Sequence, residues 1–272
     1  MKAAAQALAA LLPVLEVILV VLYGLATTES RGERARRVLL MALLGLHGAL
    51  LLLVWNLGGV FPMAHPAWIL SGVAGALLFL YAIVEWTTRS AAGGAVVVSL
   101  ALVLQTAAAM IWPAVLPAAA RQSSPFFAPH AIGLLLGLGA LLLSGAYGLL
   151  WVLLWRALRH GRFGLLFRMV PDLPGLTRMN RRAALFGFIA VGIGLNAGIW
   201  WAHDTGRQVV YTSPEILTLV VVWLLFGLLA FAGRLRFMTE RRAAWSSALV
   251  AALALLALLF AVLPGGIPHG GD

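Results

Sequence analysis

A chain of 272 residues that is 62% hydrophobic and only 10% charged is no ordinary soluble domain, since such domains carry about 25% charged residues. Its net charge of +10 is no nucleic-acid signature either, because the cations follow the loops between apolar stretches. The chain has no cysteine, which excludes disulfides, thiolate metal sites and any dithiol redox role of its own.

Crossing a bilayer takes about 20 apolar residues. Eight stretches approach that length, at 6–26, 38–58, 67–86, 93–114, 130–155, 183–202, 215–233 and 243–264. They predict an all-α, polytopic membrane bundle of eight transmembrane helices, with residues 1–272 forming a single membrane domain. The first stretch precedes its basic cluster, RGERARR, and has no small-residue cleavage site, so it reads as a retained anchor and not a cleaved signal. Arg31, Arg34, Arg36, Arg37, Arg89, Arg156, Arg159, Arg162, Arg168, Arg178, Arg181, Arg182, Arg234, Arg236, Arg241 and Arg242 fall on one side of this layout. Lys2, Arg121 and Arg207 fall on the other. The positive-inside rule then puts both termini outside, together with the loops 59–66, 115–129 and 203–214.

Ionisable groups within apolar spans cost about 2.5–3.5 kcal/mol each near the bilayer centre. Glu16 and His47 lie midway along the first two stretches, so both sit near one depth in adjacent helices. A Glu–His hydrogen bond would offset part of that cost. Such a pair could be structural, face a wet cavity, hold an imidazole ready for iron or carry protons.

Further along, Pro113, Pro117 and Pro125 mark an outer segment ending at His130, expected to lie along the membrane surface. The inner loop 156–182 is the most basic, and its run Phe163-Gly164-Leu165-Leu166-Phe167 predicts a short interfacial segment among membrane lipids. Pro171 and Pro174 are expected to bound a turn before the sixth helix.

Between Trp200 and Trp223 the chain reads WWAHDTGRQVVYTSPEILTLVVVW, with Trp200, Trp201, His203, Asp204, Arg207 and Tyr211 around an outer loop. His130, His203 and His269 stand at the ends of three different helices on that same face. Imidazole is a common iron ligand. Arg121 and Arg207 add guanidinium groups able to pair with carboxylates such as haem propionates. For most of these aromatics an interfacial belt is the simpler reading. His65 and His160 read as loop residues.

From about Phe126 to His269 the chain resembles the cytochrome c assembly family of membrane proteins, which includes the CcsA/ResC and HemX-like proteins. The resemblance rests on FFAPHAIGLLLGLGALLLSGAYGLLWVLLWRALRHG and on MVPDLPGLTRMNRRAALFGFIAVGIGLNAGIWWA. In the second run Pro171, Leu173, Leu176, Met179, Asn180, Arg181, Gly187, Phe188, Gly192, Ile193, Gly198, Trp201 and Ala202 fall in register with the family pattern. The first four helices, about 6–114, show little beyond hydropathy. The family's aromatic WWD segment is degenerate here: Gly206, Pro214 and Trp223 keep its frame, whereas Ser213, Glu215 and Tyr211 replace acidic, basic and tryptophan positions.

The resemblance implies a haem-handling protein of the bacterial cytoplasmic (inner) membrane, acting in cytochrome c-type biogenesis. It implies haem held on the outer face with His130 and His269 as the iron ligands, and His203, Trp200, Trp201, Arg207, Tyr211 and Arg121 around it. A CcsB/ResB-like membrane partner and apocytochrome c would complete a haem lyase. Two other readings remain open: an assembly or regulatory membrane protein of the same fold without haem, and a proton-coupled small-molecule transporter built on Glu16 and His47.

Overall fold

A computed structural model describes residues 2–25, 32–58, 65–91, 93–113, 124–161, 164, 170–206, 208–209, 211–212 and 214–260. Among these residues there are eight α-helices and no strand. The helices are α1 (Lys2–Leu25), α2 (Glu33–Gly58), α3 (Pro66–Thr88), α4 (Gly94–Met110), α5 (Phe127–Arg159), α6 (Leu173–Asp204), α7 (Pro214–Ala230) and α8 (Glu240–Phe260). Five of them, α1, α2, α3, α5 and α6, are long and apolar enough to cross a membrane. This is the helix content of a multi-pass membrane protein.

Several boundaries differ from the hydropathy reading, each for a local reason. The stretch 93–114 is helical only to Met110, and 215–233 stops at Ala230, before a 3-10 turn at Ala232–Arg234. At 17 residues each, α4 and α7 reach about 26 Å at 1.5 Å per residue, just under the ~30 Å hydrocarbon thickness. In the other direction α6 begins ten residues before the stretch at 183 and absorbs the basic run TRMNRR. The turn expected between Pro171 and Pro174 is therefore the helix start itself. Asp172 Oδ1 accepts from the Gly175 N–H at 2.9 Å, and Pro174 sits in the first turn, where its missing N–H costs nothing. The interfacial run at 163–167, apart from Gly164, and the outer segment at 114–123 lie outside the described residues.

The fold has two halves. In the first, α1 packs on α2 and α4, and α3 packs on the same two helices. In the second, α5 is the axis, flanked by α6 and α8, with α7 laid on α6. The contact of α3 with α5 joins them.

Pro13 lies inside α1. Proline has no N–H to give the carbonyl four residues back, so the carbonyl of Ala9 lacks its helical donor. The Gln105 amide of α4 supplies one, donating to Ala9 O at 3.2 Å. A side chain from a neighbouring helix thus satisfies the backbone group that proline frees, as an apolar medium requires.

The second half is fastened differently. A Cβ at Gly133 would lie 2.7 Å from the backbone N and Cα of Gly194, so only glycine allows α5 and α6 to approach this closely. Deeper in the same half, Ser144 donates to Asn180 Oδ1 at 2.5 Å, Asn180 Nδ2 donates to Ser247 Oγ at 3.1 Å, and Ser247 donates to Ala243 O at 2.9 Å. That neutral chain ties α5, α6 and α8 together with every link satisfied.

One end of the bundle collects arginines. Arg156 lies over the Trp245 ring and Arg241 over the Trp155 ring, bringing the end of α5 to the start of α8. Arg36, at the start of α2, pairs with Glu85 near the end of α3 at 3.6 Å.

Candidate functional site: a histidine-lined cavity at the arginine-poor end

At the opposite end, a cavity of about 500 Å³ lies between α6 and α7, within the ~300–1,000 Å³ range of small-molecule and cofactor sites. Its walls are Leu195, Ile199 and Trp201 of α6 and Ile216, Leu219, Val220 and Trp223 of α7. His130, from the first turn of α5, closes one side. Gln208 and Tyr211 stand at the loop side, and Asn196 is the remaining polar side chain. No charged side chain lines the cavity among the described residues.

His130 is held from three directions. Its Nδ1 lies 2.8 Å from the carbonyl oxygen of Gly194. A carbonyl only accepts, so Nδ1 carries the proton and donates. That fixes the tautomer and leaves Nε2 as the nitrogen with a free lone pair, the arrangement that prepares an imidazole for a metal. The Trp201 ring stacks on the imidazole at 5.7 Å between centroids, with 25° between planes. A Cβ on Gly198 would come 2.7 Å from His130 Nδ1, so the glycine makes room for the ring.

The far wall is equally fixed. The Trp223 indole donates to Phe188 O at 3.0 Å and stacks on the Phe188 ring at 4.9 Å. Phe226 and Leu229, one and two turns further along α7, are buried. The helix is therefore anchored along its arginine-rich half, while its other half forms the cavity wall.

Of the residues singled out in the sequence, His130, Trp201 and Tyr211 meet at this cavity. Trp200 does not: it is 61% exposed and stacks on Phe126 at 6.0 Å. Consecutive helical residues point about 100° apart, so Trp200 and Trp201 cannot serve one cavity. His203 is exposed and does not line it. Arg121, Arg207 and His269 lie outside the described residues. Trp223, expected only as part of the frame of the aromatic segment, forms a wall of the cavity, while Gln208, Asn196 and the Gly194 carbonyl were not anticipated. The paired glycines Gly133/Gly137 and Gly194/Gly198, each four apart, are the sequence signal that could have found the close approach.

Glu16 and His47 also come together, with His47 Nε2 at 3.1 Å from Glu16 Oε1 and both residues buried. They belong to the other half of the protein, remote from His130. A further buried cluster, overlooked in the sequence, occupies the arginine-rich end. There Tyr23 donates to Glu85, and Arg36 pairs with Glu85 while lying 5.0 Å over the Tyr23 ring.

Comparison with protein-family models, with curated proteins and with solved structures finds no match in any of the three. What the fold itself defines is the class: an all-helical chain with several helices able to span a membrane.

Proposed function

We propose that this is a haem-handling membrane protein of the cytochrome c assembly kind, holding haem in the cavity between α6 and α7 and presenting it at the outer face of a bacterial inner membrane. The observation that carries the reading is His130, whose Nδ1 is engaged by Gly194 O while the residue lines an apolar cavity of about 500 Å³. The resemblance over 126–269 points to the same histidine.

The residues fit a flat, largely apolar macrocycle. His130 would hold the iron through its Nε2, since imidazole is a common haem-iron ligand. Trp201 and Trp223 are the aromatic walls. Haem, when bound, would supply the iron centre and the vinyl groups that thiols of an apocytochrome attack. This chain would bind, orient and shield it, with the thiols coming from the substrate. His269 would be the second ligand and Arg121 and Arg207 the propionate partners under the same reading. A CcsB/ResB-like protein would be the membrane partner.

The test is an absorption spectrum of the protein purified from haem-replete membranes. A Soret band is expected, and it should be lost or strongly displaced in His130→Ala. A protein that purifies without a Soret band, or whose band ignores that substitution, is not using this cavity for haem.

One observation favours a second reading, a partner-binding assembly protein without haem. The Trp200–Phe126 stack borders an outward groove with Ile189 and Ile193, which adjoins the His130 cavity through Asn196 and Trp223. A stable membrane partner retained by haem-free protein, and released by Trp200→Ala, would support it.

A further inference from the structure

The arginines at the arginine-rich end differ in how they are paired. In the first half Arg36 meets Glu85 at 3.6 Å and Arg37 meets Glu33 at 2.6 Å. In the second half Arg242 Nη1 donates to Phe237 O at 2.7 Å, and the Arg181 guanidinium lies against Gly233. Arg156, Arg159 and Arg241 are different. Their guanidiniums have no ion pair and no hydrogen bond among the described residues, and Glu240, next to Arg241 in sequence, pairs with none of them.

These three converge on an aromatic platform. Arg156 and Arg159 occupy the last turn of α5, and Arg241 the first turn of α8. Arg159 and Arg241 stand over the same Trp155 ring, 5.4 and 4.7 Å from its centroid, and Arg156 stands over Trp245 at 5.1 Å. Trp155 is backed by the buried Trp151, stacked at 6.4 Å with 9° between planes, so the platform has a fixed base. Two guanidiniums over one ring repel each other, and no carboxylate offsets the repulsion. A guanidinium held over an indole by cation–π attraction still has N–H donors to give. The depth is that of lipid headgroups: α5 is about 50 Å long at 1.5 Å per residue, against ~30 Å of hydrocarbon, and it carries no Asp, Glu, Lys or Arg before Arg156.

We propose that this platform binds the headgroup of an anionic phospholipid such as phosphatidylglycerol. The phosphate takes its hydrogen bonds from Arg159 and Arg241, with Arg156 beside them, since guanidiniums match phosphate oxygens in pairs. What selects a lipid over a free phosphate is the surface beneath. Leu149 and Leu153 lie on the Arg156 face of α5, one to two turns deeper, and Leu249 and Leu253 lie likewise below Trp245 on α8. All four are exposed and offer acyl chains a path down from the headgroup. The positive-inside rule assigns this end to the cytoplasmic leaflet, whose anionic lipids attract basic groups at the surface. The bound lipid bridges α5 to α8 and relieves the repulsion between their guanidiniums.

Native mass spectra of the detergent-solubilised protein, titrated with phosphatidylglycerol or with phosphatidylcholine, read the occupancy of the site. Phosphatidylglycerol should be retained more strongly than phosphatidylcholine. Arg159→Gln combined with Arg241→Gln should weaken its binding about thirtyfold, which corresponds to about 1 kcal/mol for each charge removed. Arg178→Gln combined with Arg182→Gln removes the same charge from exposed positions at the same end and should leave the affinity unchanged. Inorganic phosphate at the concentration of the lipid should displace none of it. Retention of neither lipid, or of both equally, overturns the proposal. Equal losses in the two double variants would leave only diffuse surface charge, and displacement by inorganic phosphate would make this a free-phosphate site; each of these overturns it as well. None of the outcomes depends on whether the protein carries haem.

Discussion

The two halves of this protein solve the problem of holding polar groups in an apolar medium in opposite ways. Around α1–α4, ionisable side chains are buried in layers: Glu16 with His47, and Arg36 with Glu85 and Tyr23. Around α5–α8 a neutral network of Ser144, Asn180 and Ser247 links three helices, and glycines bring α5 and α6 into contact. Both halves leave some buried polar atoms without a partner among the described residues, Glu16 Oε2 and His47 Nδ1 in the first and the Tyr147 hydroxyl in the second. In the second half, His130 meets the apolar cavity at the arginine-poor end. A tightly packed pair of helices gives His130 a rigid base, whereas the buried charges of the other half depend on one another.

This contrast can be broken experimentally, and the largest effect is expected at the charged end. Arg36→Met alone leaves Glu85 buried without its counter-charge and should cost about 3–5 kcal/mol in unfolding measurements on the solubilised protein. Adding Glu85→Gln should recover much of that loss. If the double variant is no better than the single one, the ion pair is not what holds α2 to α3.

The next effect belongs to the glycine seam. Gly133→Ala drives a methyl into the Gly194 backbone, which cannot step aside as a side chain would, and should cost about 1–3 kcal/mol. The same change should loosen the bond from His130 to the Gly194 carbonyl. An alanine variant as stable as the parent would show that α5 and α6 can separate at no cost.

Asn180→Leu tests the neutral network. It strands the hydroxyls of Ser144 and Ser247, which can fall back on their own helix carbonyls, so the loss should be smaller, about 1–2 kcal/mol.

The mildest effect is a pH dependence at the start of α3. His65 Nδ1 accepts the Ala67 N–H at 3.2 Å, which only the unprotonated nitrogen can do. Partial burial holds its pKa below the ordinary 6.5. The unfolded chain then takes up the proton more readily than the folded one, so this contribution is complete above pH 6.5 and is lost as pH falls through the lower folded value. His65→Asn keeps a cap and should flatten that part of the stability profile.

Much of the helical architecture could be read in the sequence because hydropathy reports it directly. Where caps and prolines decide, hydropathy misleads. Asp172 and Pro174 start α6 well before its apolar run, and Pro13 sits unannounced inside α1 until Gln105 explains how it is tolerated. The meeting of Glu16 with His47 followed from equal depth in adjacent helices, and that of His130 with Trp201 from their shared end of the bundle. The direction of each side chain did not follow. Trp200 and Trp201 look equivalent as letters, yet one faces outward and the other stacks on His130. Glu85 escaped notice because it falls at the end of an apolar stretch, where a charge looks like a boundary. Its partners come from two other helices and become visible only in three dimensions.

The most direct test of the account compares two variants by a single spectrum. His130→Ala and Glu16→Gln are each purified from haem-replete membranes beside the parent protein. The account predicts a Soret band in the parent and in Glu16→Gln, and its loss or strong displacement in His130→Ala. A band unchanged in His130→Ala, or one that disappears with Glu16→Gln, would contradict the placement of the haem site in the α5–α8 half.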